Sequence, residues 1–137
     1  YVGWGYRYWF NDGESSSSYE RNIRYSYSPI GIEGTIPLNE NWCWGMRAEY
    51  NLFWKGWVKS HLSDVDPAYN DADNTQDTGF GVRGSLYFKR SVESGILISI
   101  EPFIQYWDVD DSDISPDGGY EPANRTLESG LQLSIGF

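Results

Sequence analysis

The sequence predicts an all-β fold, an antiparallel up-and-down transmembrane β-barrel, on three observations. Six segments alternate apolar and polar residues with a period of two, as strands with one apolar face do. The connections between these segments alternate strictly between long and short. Aromatic residues make up 18% of the chain, with seven Trp and eleven Tyr. A length of 137 residues is typical of one domain, and we assign residues 1–137 to a single barrel.

The first two strands are predicted at residues 2–10 and 22–38. The apolar face of the first consists of Val2, Trp4, Tyr6, Tyr8 and Phe10. In the second, the apolar residues occupy odd positions up to Tyr27 and even positions from Ile30 onward. This slip of one residue predicts a β-bulge at Pro29, because proline has no N–H to give to a ladder. With that bulge, all apolar side chains of the segment face outward.

Four more strands are predicted at residues 42–59, 79–89, 95–107 and 126–137. The first of these is the most regular, with apolar side chains at almost every even position. A helix that spans a membrane is not expected, because such a helix needs about 20 apolar residues and the longest aliphatic stretch is 95–98. The negative mean hydropathy is compatible with a barrel, since only every second strand residue faces lipid.

Acidic residues are concentrated in the long connections, at 11–21, 60–78 and 108–125, whereas 39–41 and 90–94 form the short ones. The acidic side chains are Asp12, Glu14, Glu20, Asp64, Asp66, Asp71, Asp73, Asp77, Asp108, Asp110, Asp111, Asp113, Asp117 and Glu121. They account for most of the net charge of -10. Nucleic acid is not an expected partner, because phosphate binding needs a basic surface. The side of the short connections is named the turn end, and the opposite side the loop end.

The segment from Gly130 to Phe137 reads Gly-Leu-Gln-Leu-Ser-Ile-Gly-Phe, so alternate apolar residues lead to a terminal aromatic. It resembles the C-terminal strand of bacterial outer-membrane β-barrel proteins, and with the other strands the resemblance to small OmpA/OmpX-like barrels covers nearly the whole chain. The resemblance implies a Gram-negative outer membrane, contact with membrane lipids and lipopolysaccharide, and recognition of the C-terminal strand by the outer-membrane assembly machinery. It also implies that the turn end is periplasmic and the loop end external.

The strand number of the predicted barrel is too low for closure in lipid. Single-chain barrels of this kind begin at eight strands, and the unpaired edges of six strands would be costly in a membrane. We therefore expect the barrel to be completed to eight or more strands. Either N-terminal strands are missing from this sequence, or other protein subunits contribute strands by oligomerisation.

The outward aromatic residues are predicted to form two girdles. The girdle at the turn end consists of Trp42, Trp44, Phe88 and Phe137, and the girdle at the loop end of Tyr25, Tyr27, Trp54, Phe80 and Tyr106. In tilted strands the distance between the heights of Trp44 and Trp54 is about 25 Å, which matches the apolar band of such barrels. Aromatic rings favour the two headgroup levels of a membrane.

The inward face is predicted to carry an ionic layer at mid-height. Its members are Arg7, Glu33, Arg47, Glu49, Arg83, Glu101 and Glu128. In a narrow lumen such charges need partners, so we expect Arg47, Arg83 and Glu49 to interact and Glu101 and Glu128 to share an arginine. The layer is interpreted as a structural plug, and the alternative is a gated path for ions or protons.

A catalytic site is suggested by the only histidine, His61, in the sequence Ser60-His61-Leu62-Ser63-Asp64. His-x-Ser with a nearby carboxylate resembles the outer-membrane lipid A deacylases, and acidic residues near a histidine resemble the outer-membrane proteases. The surrounding residues match neither family. Nucleophilic catalysis would need Ser63 hydrogen-bonded to His61, with Asp64 or Asp77 orienting the imidazole.

A weak calcium site at the external loops is the one cofactor that the sequence suggests. Four carboxylates follow one another with oxygen-rich spacing, at Asp108, Asp110, Asp111 and Asp113. The glycine and the distal glutamate of an EF-hand are not in register with them. The alternative interpretation is a solvated acidic loop that repels itself.

The function expected from these patterns is that of a non-enzymatic outer-membrane scaffold with a salt-bridged lumen and acidic external loops that make surface contacts. A porin or channel is the first alternative, and would require further strands and a wet lumen. A hydrolase built on His61 is the second. A soluble lipocalin-like barrel with its apolar face turned inward around a ligand is the third.

Overall fold

The computed structural model describes residues 1–12, 19–92, 95–115 and 119–137, so Glu14 and Asp117 of the acidic connections lie outside the described residues. It confirms an all-β antiparallel fold with seven strands in one sheet. The strands are β1 (Gly5–Asn11), β2 (Arg21–Pro37), β3 (Trp42–Ser60), β4 (Ala72–Gln76), β5 (Gly79–Ser91), β6 (Leu97–Val109) and β7 (Asn124–Gly136). One turn of 3-10 helix, Leu62–Asp64, is the only helical element in these ranges. No helix found there is long and apolar enough to cross a membrane.

The sheet curls into a half-barrel with the strand order β1-β2-β3-β5-β6-β7, and β4 pairs with the loop end of β3. Its curvature brings together side chains of strands that are not neighbours. The rings of Tyr27 on β2 and Trp107 on β6 have centroids 5.0 Å apart. Within the described part of the chain, β1 and β7 form the two ends of this six-strand order and each pair with one strand, as the short β4 does at the loop end.

All six strands predicted from the period-two pattern are present, with ends that differ by a few residues. The largest difference is at the first strand, which begins at Gly5. Its pairing nevertheless extends toward the turn end, because Val2 forms a bridge with Ile30 and the Gly3 amide donates to the Pro29 carbonyl at 3.0 Å.

Strand β4 was not predicted, because its sequence Ala-Asp-Asn-Thr-Gln has no apolar face. It lies inside the long connection between β3 and β5, where its ladder with β3 runs from Gly56 to Ser60. The inward side chains Asn74 and Gln76 are buried, with 7% and 1% exposure. A strand with buried amides gives no hydrophobic period, so only the tertiary pairing reveals it.

The bulge lies on β3, and its predicted position at Pro29 is wrong. Ser26 pairs with Lys55 and Tyr27 pairs with Phe53, which leaves Trp54 without a ladder partner. Strand β2 itself alternates without a break past Pro29. The apolar residues change parity along β2 because the interior changes from polar to apolar toward the loop end.

The interior at the loop end is an apolar cluster, here named the loop-end core. It consists of Ile23, Tyr25, Phe53, Val58, Trp107 and Val109, with Tyr27 packed against it. Four residues that the period-two pattern placed on the outward face therefore face inward: Ile23, Tyr25, Tyr27 and Val58. The outer surface at the same height carries Arg24 and Trp57, which are exposed.

The outer surface below this level is apolar and exposed, and is named the apolar belt. It consists of Ile30, Ile32, Ile36, Met46, Leu52, Val82, Leu86, Ile98, Ile100, Ile104, Leu127, Leu131, Leu133 and Ile135. These residues alternate with inward polar side chains on adjacent antiparallel strands, so they form one continuous surface. Two of them, Ile32 and Ile135, are 77% and 72% exposed. Soluble monomers rarely expose an apolar surface of this extent.

The turn between β2 and β3 is short and is closed by side-chain hydrogen bonds. The Asn39 side-chain oxygen accepts the amides of Asn41 and Trp42, each at 3.0 Å, and so closes the turn between β2 and β3. Gly95, before β6, has φ of +82°, a conformation that an L-residue with a side chain rarely adopts.

Candidate functional site: the interior ion-pair layer and the loop end

The strand register gathers the seven predicted ionic residues inside the half-barrel. Glu33 lies opposite Arg47 on the β2–β3 ladder, and Glu49 lies opposite Arg83 on the β3–β5 ladder. Because side chains at alternate positions share one face, these charges all project from the concave face of the sheet. The seven residues are named the ion-pair layer.

Glu101 on β6 is the centre of this layer and is only 5% exposed. Its carboxylate accepts hydrogen bonds from Arg47 at 3.1 Å and from Arg83 at 3.3 Å. The buried Ser85 hydroxyl donates a further bond at 2.7 Å. Arg47 also donates to Glu33 at 2.9 Å, so it joins β2 to β6 across the interior. Each buried charge in this group has an opposite charge in contact, which reduces the cost of its desolvation.

The remaining members of the layer have other partners than the sequence suggested. Glu49 accepts a hydrogen bond from the Tyr1 hydroxyl at 2.8 Å, although Arg83 is its ladder neighbour. Glu128 forms an ion pair with Arg7, which crosses the open side between β7 and β1. Glu101 and Glu128 therefore do not share an arginine. Arg7 is held near Glu128 because the curl of the sheet brings its two edges toward each other.

Fully buried side chains occupy the interior on both sides of the ion-pair layer. Toward the turn end, Tyr87 is 0% exposed and its hydroxyl donates to the Gly34 carbonyl at 3.2 Å. Toward the loop end, Asn51 is 0% and Trp107 is 1% exposed. The Trp107 ring packs on Gly81, where an added Cβ would lie 2.9 Å from it. The described interior is thus filled by side chains above and below its charges.

Seven of the nine residues predicted for the aromatic girdles lie on the outer surface. Trp42, Trp44, Phe88 and Phe137 are outward at the turn end, and Trp54, Phe80 and Tyr106 are outward at the loop end. The Phe80 ring lies 6.3 Å from Tyr106 of the same group and 6.1 Å from Tyr50 on the neighbouring strand. Tyr25 and Tyr27 belong to the loop-end core and are removed from the girdle. Trp57 faces outward in this region, because the bulge at Trp54 shifts the alternation of β3 by one residue.

His61 lies in a group of loop residues, here named the loop latch, that consists of Glu20, His61, Ser63 and Asp71. The His61 Nδ1 atom is 2.9 Å from Asp71, and its Nε2 atom is 3.7 Å from Glu20. The Ser63 hydroxyl donates to Asp71 at 2.7 Å, and this bond holds the pKa of the Asp71 carboxyl below its ordinary value. The latch connects the loop before β2 with the loop after β3.

The loop latch differs from a nucleophilic triad in two respects. The Ser63 hydroxyl is bonded to Asp71 rather than to His61, and both imidazole nitrogens face carboxylates. The expected acids, Asp64 and Asp77, are engaged elsewhere, since Asp64 accepts the Glu20 amide at 3.4 Å and Asp77 pairs with Lys55 at 3.4 Å. This arrangement fits a contact between loops better than a hydrolytic site.

The structure does not assemble the suggested calcium site. Among the described residues, no group of three or more His, Cys, Asp or Glu side chains is placed to hold a metal ion. Asp108 is instead bound on the outer surface by Arg125 at 3.3 Å and by the Tyr106 hydroxyl at 3.1 Å. Asp110, Asp111 and Asp113 follow it without converging. In the same connection Glu121 is paired with Arg21, and burial raises the pKa of the Glu121 carboxyl.

Comparison with known proteins gives no match, whether to a family model, a curated protein or a solved structure.

Proposed function

We propose that this protein is an integral β-barrel of a bacterial outer membrane, with a rigid, ion-paired interior and acidic loops that make contacts outside the cell. The observation that carries the proposal is the apolar belt, which faces outward and has aromatic residues at both of its ends. Each exposed aliphatic side chain in water forfeits about 1.5–3 kcal/mol relative to an apolar environment. Lipid removes this cost, and the interior supplies the polar contacts that a membrane does not.

Closure of the sheet follows from the same proposal. In lipid, the free N–H and C=O groups on the edges of β1 and β7 need partners. These two edge strands run in opposite directions, so an even number of added strands preserves antiparallel pairing all round. Two added strands give eight, which is the smallest number known for such barrels. They come either from a longer form of this polypeptide or from another subunit.

The interior favours a scaffold over a channel. Ring contacts from β2 to β6 and ion pairs from β3 to β6 cross it directly, and Tyr87, Asn51 and Trp107 are fully buried. A porin would instead need a wide lumen lined by solvated side chains. The lipocalin-like alternative is disfavoured as well, because it requires the residues of the apolar belt to face inward.

The test of membrane insertion is the behaviour of the full-length protein in detergent. The proposal expects insolubility without detergent and, once folded in micelles, a gel mobility that changes on heating. A protein that stays monomeric and soluble without detergent would contradict it.

The test of the scaffold against the channel is conductance in planar bilayers. A filled interior predicts brief, small events or none, and a persistent large conductance would favour the porin alternative. Tyr87→Ala and Trp107→Ala, which remove the largest interior side chains, are the matched variants in which conductance should rise.

A further inference from the structure

Two cations on the outer surface at the loop end have no ion-pair partner in the described part of the chain. Four basic side chains lie on this surface, at Arg24, Lys55, Lys59 and Arg125. Lys55 pairs with Asp77 and Arg125 pairs with Asp108. No described carboxylate lies within ion-pair distance of Arg24 or Lys59. The protein has 20 acidic and 10 basic residues and a net charge of -10, so two neighbouring cations without an ion-pair partner are unusual.

Arg24 and Lys59 line the same groove, whose volume is about 470 Å³. The β2–β3 ladder pairs Arg24 with Trp57 and Asn22 with Lys59. The two cations are therefore diagonal neighbours, about 7–8 Å apart at the backbone, and both side chains can reach one anion between them. Tyr6 and Trp57 form the aromatic part of the groove wall. Asp73, which lies directly opposite Lys59 on the β3–β4 ladder, also lines the groove and opposes an anion there. The Arg24 guanidinium lies 5.8 Å from the centre of the Tyr8 ring.

The position of the groove along the barrel axis indicates which anion it can contact. On β3, Trp57 and Lys59 lie three and five residues beyond Trp54, which ends the aromatic girdle. In strands tilted by about 40°, these steps put the backbone of Trp57 and of Lys59 about 8 and 13 Å above Trp54. A headgroup layer is about 5–8 Å thick, so Arg24, which pairs with Trp57, lies at its outer boundary, and the long Lys59 side chain reaches it by extending toward the membrane. In the proposed orientation, the headgroups at this level are phosphorylated glycolipids of the outer leaflet.

We propose that this groove binds a phosphate group of an outer-leaflet glycolipid, with Arg24 and Lys59 on the phosphate oxygens. The inference rests on the proposed membrane function and names the lipid class and the site. Arg24 and Lys59 donate charge-assisted hydrogen bonds to the phosphate, which are stronger than neutral ones. Tyr6 and Trp57 contact the adjoining sugar. The bound glycolipid fastens the rim of the barrel to the outer leaflet.

The test measures binding of bisphosphorylated lipid A to the folded, full-length protein in detergent micelles by native mass spectrometry. Arg24→Gln and Lys59→Gln should each weaken binding about fivefold, and the double variant about 25-fold, because each interfacial cation contributes about 1 kcal/mol. Arg125→Gln is the matched control, since it removes one positive charge from the same loop-end surface, on β7 and outside the groove, and should not change binding. Asp73→Asn removes the opposing carboxylate and should tighten binding.

Three results would overturn the inference. The first is a folded double variant, verified by its heat-dependent mobility, that binds lipid A as the wild type does. The second is equal binding of dephosphorylated lipid A. The third is displacement of lipid A by inorganic phosphate alone, which would assign the groove to free anions. A protein that needs no detergent would remove the membrane function itself, so the two failures are distinguishable.

Discussion

At the scale of single residues, the interior is governed by how completely each charge is paired. Glu101 is almost fully buried and holds two arginines and a serine, whereas Glu49 accepts one hydrogen bond from Tyr1. Removing one member of a buried ion pair costs more than the pair contributes, because the partner stays buried and uncompensated. The two glutamates are therefore expected to differ in their effect on stability.

We predict that Glu101→Gln lowers the free energy of unfolding by about 3–5 kcal/mol, because Arg47 and Arg83 then share no buried carboxylate. Glu49→Gln is the matched control on the same layer and should cost about 1 kcal/mol, which is typical of one neutral or partly exposed hydrogen bond. Urea unfolding in detergent micelles measures both. Equal losses in the two variants would show that Glu101 is not the centre of the layer.

The loop latch gives a prediction for pH at the same scale. Because the Ser63 hydroxyl, the Ser63 amide and His61 favour the ionised form, the pKa of Asp71 is below its ordinary 3.8 in the folded protein. The stabilisation that the ionised Asp71 carboxylate gives to the latch is therefore fully present above pH 3.8 and is lost as the pH falls through the lowered pKa.

NMR titration of the Asp71 carboxyl carbon tests this expectation. The midpoint should lie below 3.8 in the wild type and move up toward that value in Ser63→Ala, which removes the largest cause of the shift. Ser60→Ala, a substitution outside the latch, is the control and should leave the midpoint unchanged. A wild-type midpoint at or above 3.8 would be inconsistent with the latch.

At the scale of elements, β2 is the strand whose faces the structure reassigns. Tyr25 is 3% exposed and packs edge-on against Phe53 at 5.3 Å, whereas Tyr6 on β1 is 50% exposed on the outer surface. The bulge at Trp54 allows β3 to turn Val58 inward toward the same cluster. The loop ends of β2 and β3 therefore pack like a small soluble core above the belt.

We predict that Tyr25→Ala lowers the free energy of unfolding by about 3–5 kcal/mol, as removal of a large buried ring does. Tyr6→Ala, the outward control, should cost about 1 kcal/mol or less. The measurement is unfolding by urea, with the heat-dependent gel shift as a second readout. Similar effects of the two substitutions would mean that Tyr25 lies in the outward girdle after all.

At the scale of the whole molecule, the outer surface and the interior exchange polarity along the barrel axis. Near the turn end and at mid-height the outer surface is apolar and the interior is charged. At the loop end the interior holds the apolar loop-end core beside the buried amides Asn74 and Gln76, and the outer surface carries Arg24 and Lys59. A single medium cannot favour both arrangements. Lipid around the belt, with headgroups and then water around the loop end, satisfies both arrangements, which supports the proposed position of the membrane.

Charged substitutions in the belt test this position. Ile104 pairs with Gly84 at mid-belt, whereas Ile98 pairs with Arg90 at the level of Trp42. In lipid vesicles, Ile104→Arg should cost about 2–4 kcal/mol of unfolding free energy and Ile98→Arg about 0–1 kcal/mol. Equal, small effects would indicate that the belt is in water, since exposed substitutions in water usually change stability by about 0.5 kcal/mol or less.

How much of the candidate site the sequence predicts depends on distance along the chain. The ion-pair layer follows from strand period and residue height, so all seven members are found on the concave face. Their pairing does not follow, because the Arg7–Glu128 and Arg47–Glu101 contacts join strands that are distant in the sheet order. The groove at Arg24 and Lys59 had no signal, since it needs the bulge at Trp54 and the unpredicted strand β4.

The sequence by itself determined the antiparallel all-β fold, the six long strands and the apolar belt, because each depends on a local alternation that the pleat converts directly into two faces. Only the tertiary structure decided where the bulge lies, which way Tyr25 and Tyr27 point, and which charges meet. A period of two says that residues share a face but not which face is inside. That choice is made by the curl of the sheet, which puts Tyr27 on Trp107 and Arg47 on Glu101 across the interior.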